Sequence, residues 1–235
     1  MRPAPSSGSM EADAAARAER GDNDAMTSSS EENDRSMDAL LADAWGSLQA
    51  AVRDARHEWH LPVVSNVDAE GRPTARVVVL RDVRVDAPAG PVLACHTDRR
   101  SRKVAELDGG AGQVAWTFYE RERKVQLRAV GRSVVHLDDE VADEAWSRSS
   151  ASSRRCYMAP HGPSEVLEAW DPNLPEAWMK SVPDQASSET GRVNFAVVRT
   201  TVDTLERLEL HHDGHIRCRW RWSGPELIES SWLAP

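Results

Sequence analysis

The sequence predicts a mainly β fold, an antiparallel barrel with peripheral α-helices, and three observations predict it. Short runs rich in β-branched residues recur along the chain: "LPVVSNV", "ARVVVL", "PVLACH", "QVAWTFY", "KVQLRAVGRSVVHL", "VNFAVVRT", "TLERLELHH" and "HIRCRWRW". Such side chains fit a pleated surface better than a helix. Most of the runs are joined by short turn-like segments, the connection that antiparallel neighbours use. In "KVQLRAV" the apolar Val125, Leu127 and Ala129 alternate with Lys124, Gln126 and Arg128, so one face packs and the other stays polar. About seven or eight strands of this kind suit a sheet curled on itself.

The elements follow in order. Residues 1–36 are rich in Ala, Ser, Asp and Glu and hold no aromatic residue; they cannot bury enough surface to offset ordering entropy and are expected to be a disordered acidic leader. A transit peptide would be poor in acids, which this segment is not. The remaining 37–235 is expected to form one domain. From Met37 to about Glu58, Leu40, Leu41, Ala44, Trp45, Leu48, Ala51 and Val52 mark one face of an amphipathic helix. "DAEGRP" suits a hairpin between the first two strands. Asp138 and Asp139 stand where "EVADEAW" needs an N-cap. Residues 147–190 are dense in Ser and Pro, a long excursion with short helical possibilities at "SEVLEAW" and "PEAWMK". Asp213–Gly214 fits a tight turn into the last run.

Composition narrows the function classes. The formal net charge of -9 opposes general nucleic-acid binding, so any basic site must be local. No stretch approaches the roughly 18 consecutive apolar residues of a membrane span, and the expected compartment is the cytoplasm, with no membrane partner. Cys95, Cys156 and Cys218 are isolated in sequence, without the spacing of a zinc site or a disulfide framework, and read as idle thiols. His211, His212 and His215 flank a turn with no supporting carboxylate spacing, and no metal is expected.

One stretch is chemically unusual. "HTDRRSRKVAEL", residues 96–107, puts Arg99, Arg100, Arg102 and Lys103 where a strand should end and a helix begin. Cations in the first turn oppose the helix macrodipole. A phosphate there would be held by free backbone N–H groups, by the hydroxyls of Thr97 and Ser101, and by Arg102 and Lys103, with Asp98 or Thr97 as N-cap and Gly109–Gly110 as the stop. The alternative is a solvated charge run that needs no ligand. A single-stranded nucleic-acid surface would interleave aromatics with these cations, and between Arg99 and Lys103 there are none.

Taken together, "RVVVLR" (76–81), "HTDRRSRK" (96–103) and "QLRAVG" (126–131) resemble, in order and spacing, the motifs of the FMN-binding split-barrel family related to pyridoxamine 5'-phosphate oxidase. The resemblance covers residues 60–155 and, more loosely, the rest, ending in "SWLAP". It implies an antiparallel split β-barrel, FMN as cofactor and a homodimer. Arg76, Val77, Val78, Val79 and Leu80 would lie along the flavin. His96, Thr97, Ser101, Arg102 and Lys103 would hold its phosphate and ribityl chain, and Gln126 would touch the ring.

The same resemblance places a small anionic substrate near Arg81, Arg148 and Arg219, with Ser152 or Ser153 beside them. It also shows departures. Glu144 stands where the oxidases have a Tyr that helps grip substrate phosphate, and an acid there repels such a group. "HIRCR" keeps only Arg219 of the family's C-terminal substrate motif, His215 and Arg217 replacing an Arg and a His; the flavin-edge Trp falls on His211. The implied activity is FMN-dependent hydride transfer, with vitamin B6 chemistry as one possibility and no general base identified. The alternative is a non-catalytic FMN-binding or stress-response protein.

Overall fold

The computed structural model describes residues 36–108 and 112–235. The expected leader therefore lies outside the described residues but for Ser36, as does the Gly109–Gly110 helix stop. The chain divides into two units between Ala44 and Trp45. The described residues of the first open helix α1 (Met37–Arg53), where the Ser36 hydroxyl accepts a hydrogen bond from the Ala39 N–H at 3.1 Å and caps the first turn. Further along α1, in the second unit, Trp45, Leu48 and Ala51 are buried at helical spacing. Trp45 meets Trp222 edge-on, with ring centroids 5.9 Å apart.

Trp45–Pro235 is built on nine antiparallel strands: β1 (Val63–Val67), β2 (Pro73–Val77), β3 (Leu80–Arg84), β4 (Val92–Asp98), β5 (Gln113–Glu120), β6 (Val125–His136), β7 (Phe195–Glu209), β8 (Ile216–Ser223) and β9 (Glu226–Trp232). Their order is β2-β1-β5-β6-β7-β4-β3, with β8 and β9 continuing from β7. The mainly β, antiparallel class expected from the sequence is thus found. The sheet is not closed by hydrogen bonds, because β2 and β3 are the two ends of this path. Yet only Val78 and Val79 separate them in the chain, a reach of at most roughly 11 Å. The last residue of β2 and the first of β3 are therefore held close together while the two strands stay unpaired with each other. Val78 fixes the crossing: it is buried, and its N–H donates to the Pro62 carbonyl at 2.9 Å.

Four elements differ from the sequence reading. "ARVVVL" is not one strand but the end of β2, the crossing and the first residue of β3; an unbroken apolar run has no period to mark where it changes neighbours. "VNFAVVRT" and "TLERLELHH" merge into the 15-residue β7, with a register shift opposite at Val130/Gly131. The polar-diluted β9 carries no clear strand pattern and was not expected. Of the two helical possibilities in the excursion, only Glu176–Trp178 forms a short 3-10 turn. "SEVLEAW" stays irregular, with Val166 and Trp170 exposed, because it has no packed surface against which to bury a face.

Two of the short helices bear on the site. Helix α2 (Arg102–Asp108) follows β4, and α3 (Glu140–Arg148) follows β6. Asp139 caps α3, its carboxylate accepting from the Ala142 N–H at 3.0 Å, and Trp146 packs into a buried cluster with Ala94, Phe195 and Val197. Trp59, Trp116, Phe118, Leu127, Leu205 and Trp220 are fully buried in the main core.

At the bulge between β6 and β7, Gly131 is required by close approach: a Cβ there would run into the Thr201 carbonyl and the Val202 backbone. Gly131→Ala is expected to destabilise the fold by about 3 kcal/mol, read as a lowered midpoint in urea unfolding with an unchanged slope.

Candidate functional site

The four cations of the stretch at residues 96–107 separate into two kinds. Arg99 pairs with Asp138 at 3.0 Å, and Arg100 with Asp98 at 2.6 Å. Arg100 also donates to the carbonyls of Ala159 at 3.1 Å and Pro160 at 3.3 Å, so both are structural ties. Asp98 is not the helix cap expected; its carboxylate is spent on the Arg100 side chain and backbone N–H, and the helix begins after Ser101. Arg102 is exposed. Lys103 turns inward, and its Nζ donates to Thr97 Oγ1 at 2.6 Å and Ser101 Oγ at 3.2 Å.

Arg76 stands near this group. It donates to Thr74 Oγ1 at 2.9 Å and to Asn66 Oδ1, and pairs with Glu106 at 3.3 Å; Asn66 Nδ2 also donates to Glu106 at 2.8 Å. Burial holds the Lys103 ammonium below the usual lysine range, and the charge of Arg76 adds to that. The adjacent Cys95 thiol is no counter-ion, since burial pushes it up to about 12. Two half-buried cations, three hydroxyls and a single carboxylate are short of negative charge, and helix α2 has no acidic residue in its first turn. This donor set fits the phosphate of a flavin nucleotide.

Strand alternation assigns the neighbours of Thr97 to another place. Cys95 and Thr97 face the Lys103 cluster, whereas Ala94 and His96 face a cavity of about 350 Å³. Arg81, Asp82 and Arg84 of β3, Val197 and Arg199 of β7, and Glu144 and Arg148 of α3 also line it. Ser153 lines it as well and Ser152 does not. Burial, with the charge of Arg81 second, pushes His96 down to about 4; it is neutral at physiological pH, with its ring edge-on to Phe195 at 4.9 Å.

The remaining sequence-derived residues lie elsewhere. Gln126 is half-buried on β6, opposite Tyr119 and Leu208. Val77, exposed at 61 %, pairs with Val63; Val78 and Leu80 are buried and Val79 is half-buried. Arg219 on β8 is paired with Glu229 at 2.7 Å and does not line the cavity. His211 is bonded to Glu209 and His212 to Asp213.

Sequence reasoning missed Asn66, Thr74 and Glu106 around Arg76, and Arg84 and Arg199 in the cavity. Signals existed for some of them. Asn66 and Thr74 are directly opposed in the first hairpin, Glu106 follows Lys103 at helical spacing, and Arg199 interrupts the apolar run Phe195–Val198.

Comparison with known proteins identifies the family and the fold. Residues 42–137 match the family model described as the FMN-binding domain of pyridoxamine 5'-phosphate oxidase. A pyridoxine/pyridoxamine 5'-phosphate oxidase of Roseobacter denitrificans is 32% identical over 153 residues, 59% of this chain and 72% of that protein. A dihydrophenazinedicarboxylate synthase of Pseudomonas chlororaphis is 29% identical over 100 residues, 42% of this chain and 41% of that protein. Among solved structures, a pyridoxamine 5'-phosphate oxidase-related FMN-binding protein of Nostoc punctiforme superposes with a TM-score of 0.63 at 18% identity, covering 82% of this chain and 96% of that one. PhzG of Burkholderia lata, solved in complex with tetrahydrophenazine-1-carboxylic acid, gives 0.61 at 19% identity, covering 87% and 96%.

Two outcomes follow from the geometry. Millimolar inorganic phosphate should raise the melting temperature of the parent but not that of Lys103→Gln or Arg76→Gln, as followed by thermal unfolding. His96 binds a proton less readily folded than unfolded, so between pH about 6.5 and about 4 the unfolded chain takes up more protons and stability falls as pH falls. Urea unfolding of the parent at pH 7 and pH 5 should show this loss, and His96→Asn should show less of it.

Proposed function

Because the chain belongs to the pyridoxamine 5'-phosphate oxidase FMN-binding family, we propose that it is an FMN-dependent oxidoreductase acting on a small organic anion. The observation that carries this reading is the Arg76–Lys103–Thr97–Ser101 cluster, a half-buried, positively charged donor set at the positions where the family resemblance puts the flavin phosphate. When bound, the flavin supplies two-electron chemistry, accepting hydride at its ring N5.

The chain's own residues bind and orient. Lys103 and Arg76 neutralise the phosphate, Arg102 adds charge from the exposed side, and Thr97 and Ser101 fix its oxygens. His96, uncharged above pH about 4, lends the cavity wall a neutral edge. Val77, Val78, Val79, Leu80 and Gln126 border the ring in this reading. Arg81 stands at the cavity where a substrate anion is held; Arg148 lines the same cavity but is paired there with Glu144. Arg219, paired with Glu229, lies away from that cavity. A homodimer is supported by the exposed Val63, Val67, Val77 and Tyr119, apolar side chains left on strands next to one another.

The Roseobacter relative is named for phosphorylated B6 vitamers and the Burkholderia structure holds a carboxylic acid. Glu144 in the cavity wall favours a carboxylate-bearing substrate over a phosphate ester. Among the described residues no helix is long and apolar enough to cross a membrane, and we assign the enzyme to the cytoplasm.

FMN titration of the purified chain, followed by flavin fluorescence, tests the reading. Saturable binding with a raised melting temperature is expected, and the Arg102→Glu/Lys103→Glu double variant should bind at least about 100-fold more weakly. Sedimentation of the FMN-loaded protein should give a dimer. A chain that FMN neither binds nor stabilises would refute the proposal.

A further inference from the structure

The four guanidinium groups of the cavity are not equivalent. Asp82 holds Arg84 at 2.7 Å. Glu144 holds Arg148 at 2.6 Å and also stands 3.8 Å from Arg84. Arg81 and Arg199 have no carboxylate at ion-pair distance among the described residues. The two acids therefore leave two guanidinium groups uncompensated, both on the sheet side of the cavity, on β3 and β7.

Arg199 is the more unusual of the two. It stands between Ala94 of β4 and Val134 of β6, directly after the buried run Phe195–Val198. Its Nε is buried without a hydrogen-bond partner. A buried guanidinium N–H without an acceptor is unfavourable, and the guanidinium of this cavity-lining residue has no carboxylate among the described residues to compete with an entering anion. The walls beside it are apolar, with Val52, Ala94, Val141, Ala145 and Val197, which suits an organic anion with an apolar body.

We propose that Arg199, with Arg81, clamps the anionic end of the substrate in this cavity, and that Glu144 withholds Arg148 from that clamp. This rests on the reading of the cavity as the substrate site. The anion then docks on the sheet wall and not on α3. A planar carboxylate matches the fork of one guanidinium with two hydrogen bonds. A phosphate dianion brings a second charge towards Asp82 and Glu144, so the parent discriminates against it.

Calorimetric titration of the full chain with benzoate and with phenyl phosphate, with and without FMN, tests the clamp. The parent should bind benzoate more tightly than phenyl phosphate. Arg199→Gln should weaken benzoate at least about tenfold, Arg199→Lys should fall between it and the parent, and Arg148→Gln should change it by less than about twofold. Glu144→Gln should tighten phenyl phosphate about tenfold by releasing Arg148, and adding Arg148→Gln should cancel that gain. Should Arg199→Gln fail to fold, Arg199→Lys and the Glu144–Arg148 cycle still decide. The clamp is overturned if Arg148→Gln costs as much as the Arg199 variants, if those variants bind benzoate like the parent, if phenyl phosphate is preferred, or if neither probe binds. The expected pattern in a chain that never binds FMN would leave the clamp standing and remove the flavin reading instead.

Discussion

The pairing of β4 between β3 and β7 is the constraint on which the rest depends. Because β4 is paired with β7 throughout Val92–Asp98 and with β3 over Val92–Cys95, its side chains have no freedom to choose a face. Cys95 and Thr97 go to the side where Arg76 and Lys103 gather, and Ala94 and His96 go to the cavity. A slip of one residue would put the histidine among the cations and the threonine in the cavity, and both sites would vanish together. The bulge in β3 between Leu80 and Asp82 matters for the same reason, since Arg81 sits at that irregularity with Asp82 and Arg84 beyond it.

Charge is apportioned with similar economy. An acidic chain surrounds its basic sites with internal partners, so that most guanidinium groups are held in place by carboxylates or backbone carbonyls. Arg154 is the extreme case: it is buried, donates to the Trp146 carbonyl at 2.6 Å, pairs with Glu189 at 2.5 Å and stacks over the Trp146 ring at 4.4 Å. Such residues tie elements together and are unavailable to a ligand. The contrast makes the less committed cations, Lys103 on one face of β4 and Arg199 on the other, stand out.

The strand class was legible in the sequence because β-branched runs and alternation are local signals. Both β6 and α3 lie close to where period and capping place them, Asp139 included. The seam was not legible, because Val77, Val78 and Val79 are alike in sequence and differ only in neighbours. The anion cluster was half legible. Thr97, Ser101 and Lys103 lie within seven residues of one another and announce themselves, whereas Asn66, Thr74 and Glu106 join Arg76 only through hairpin register and helix packing. Composition showed four cations in "DRRSRK", but which two were structural depended on Asp138 and on the Ala159 and Pro160 carbonyls, some 39 to 60 residues away.

The two-residue crossing at Val78 and Val79 has a mechanical consequence. In most open sheets the outermost strands fray independently, since nothing but the interior connects them. Here one short covalent tether joins both rims, so loosening β2 from β1 pulls on β3 and loosening β3 from β4 pulls on β2. The rims open and close as a pair, and a ligand that secures either one restrains the other.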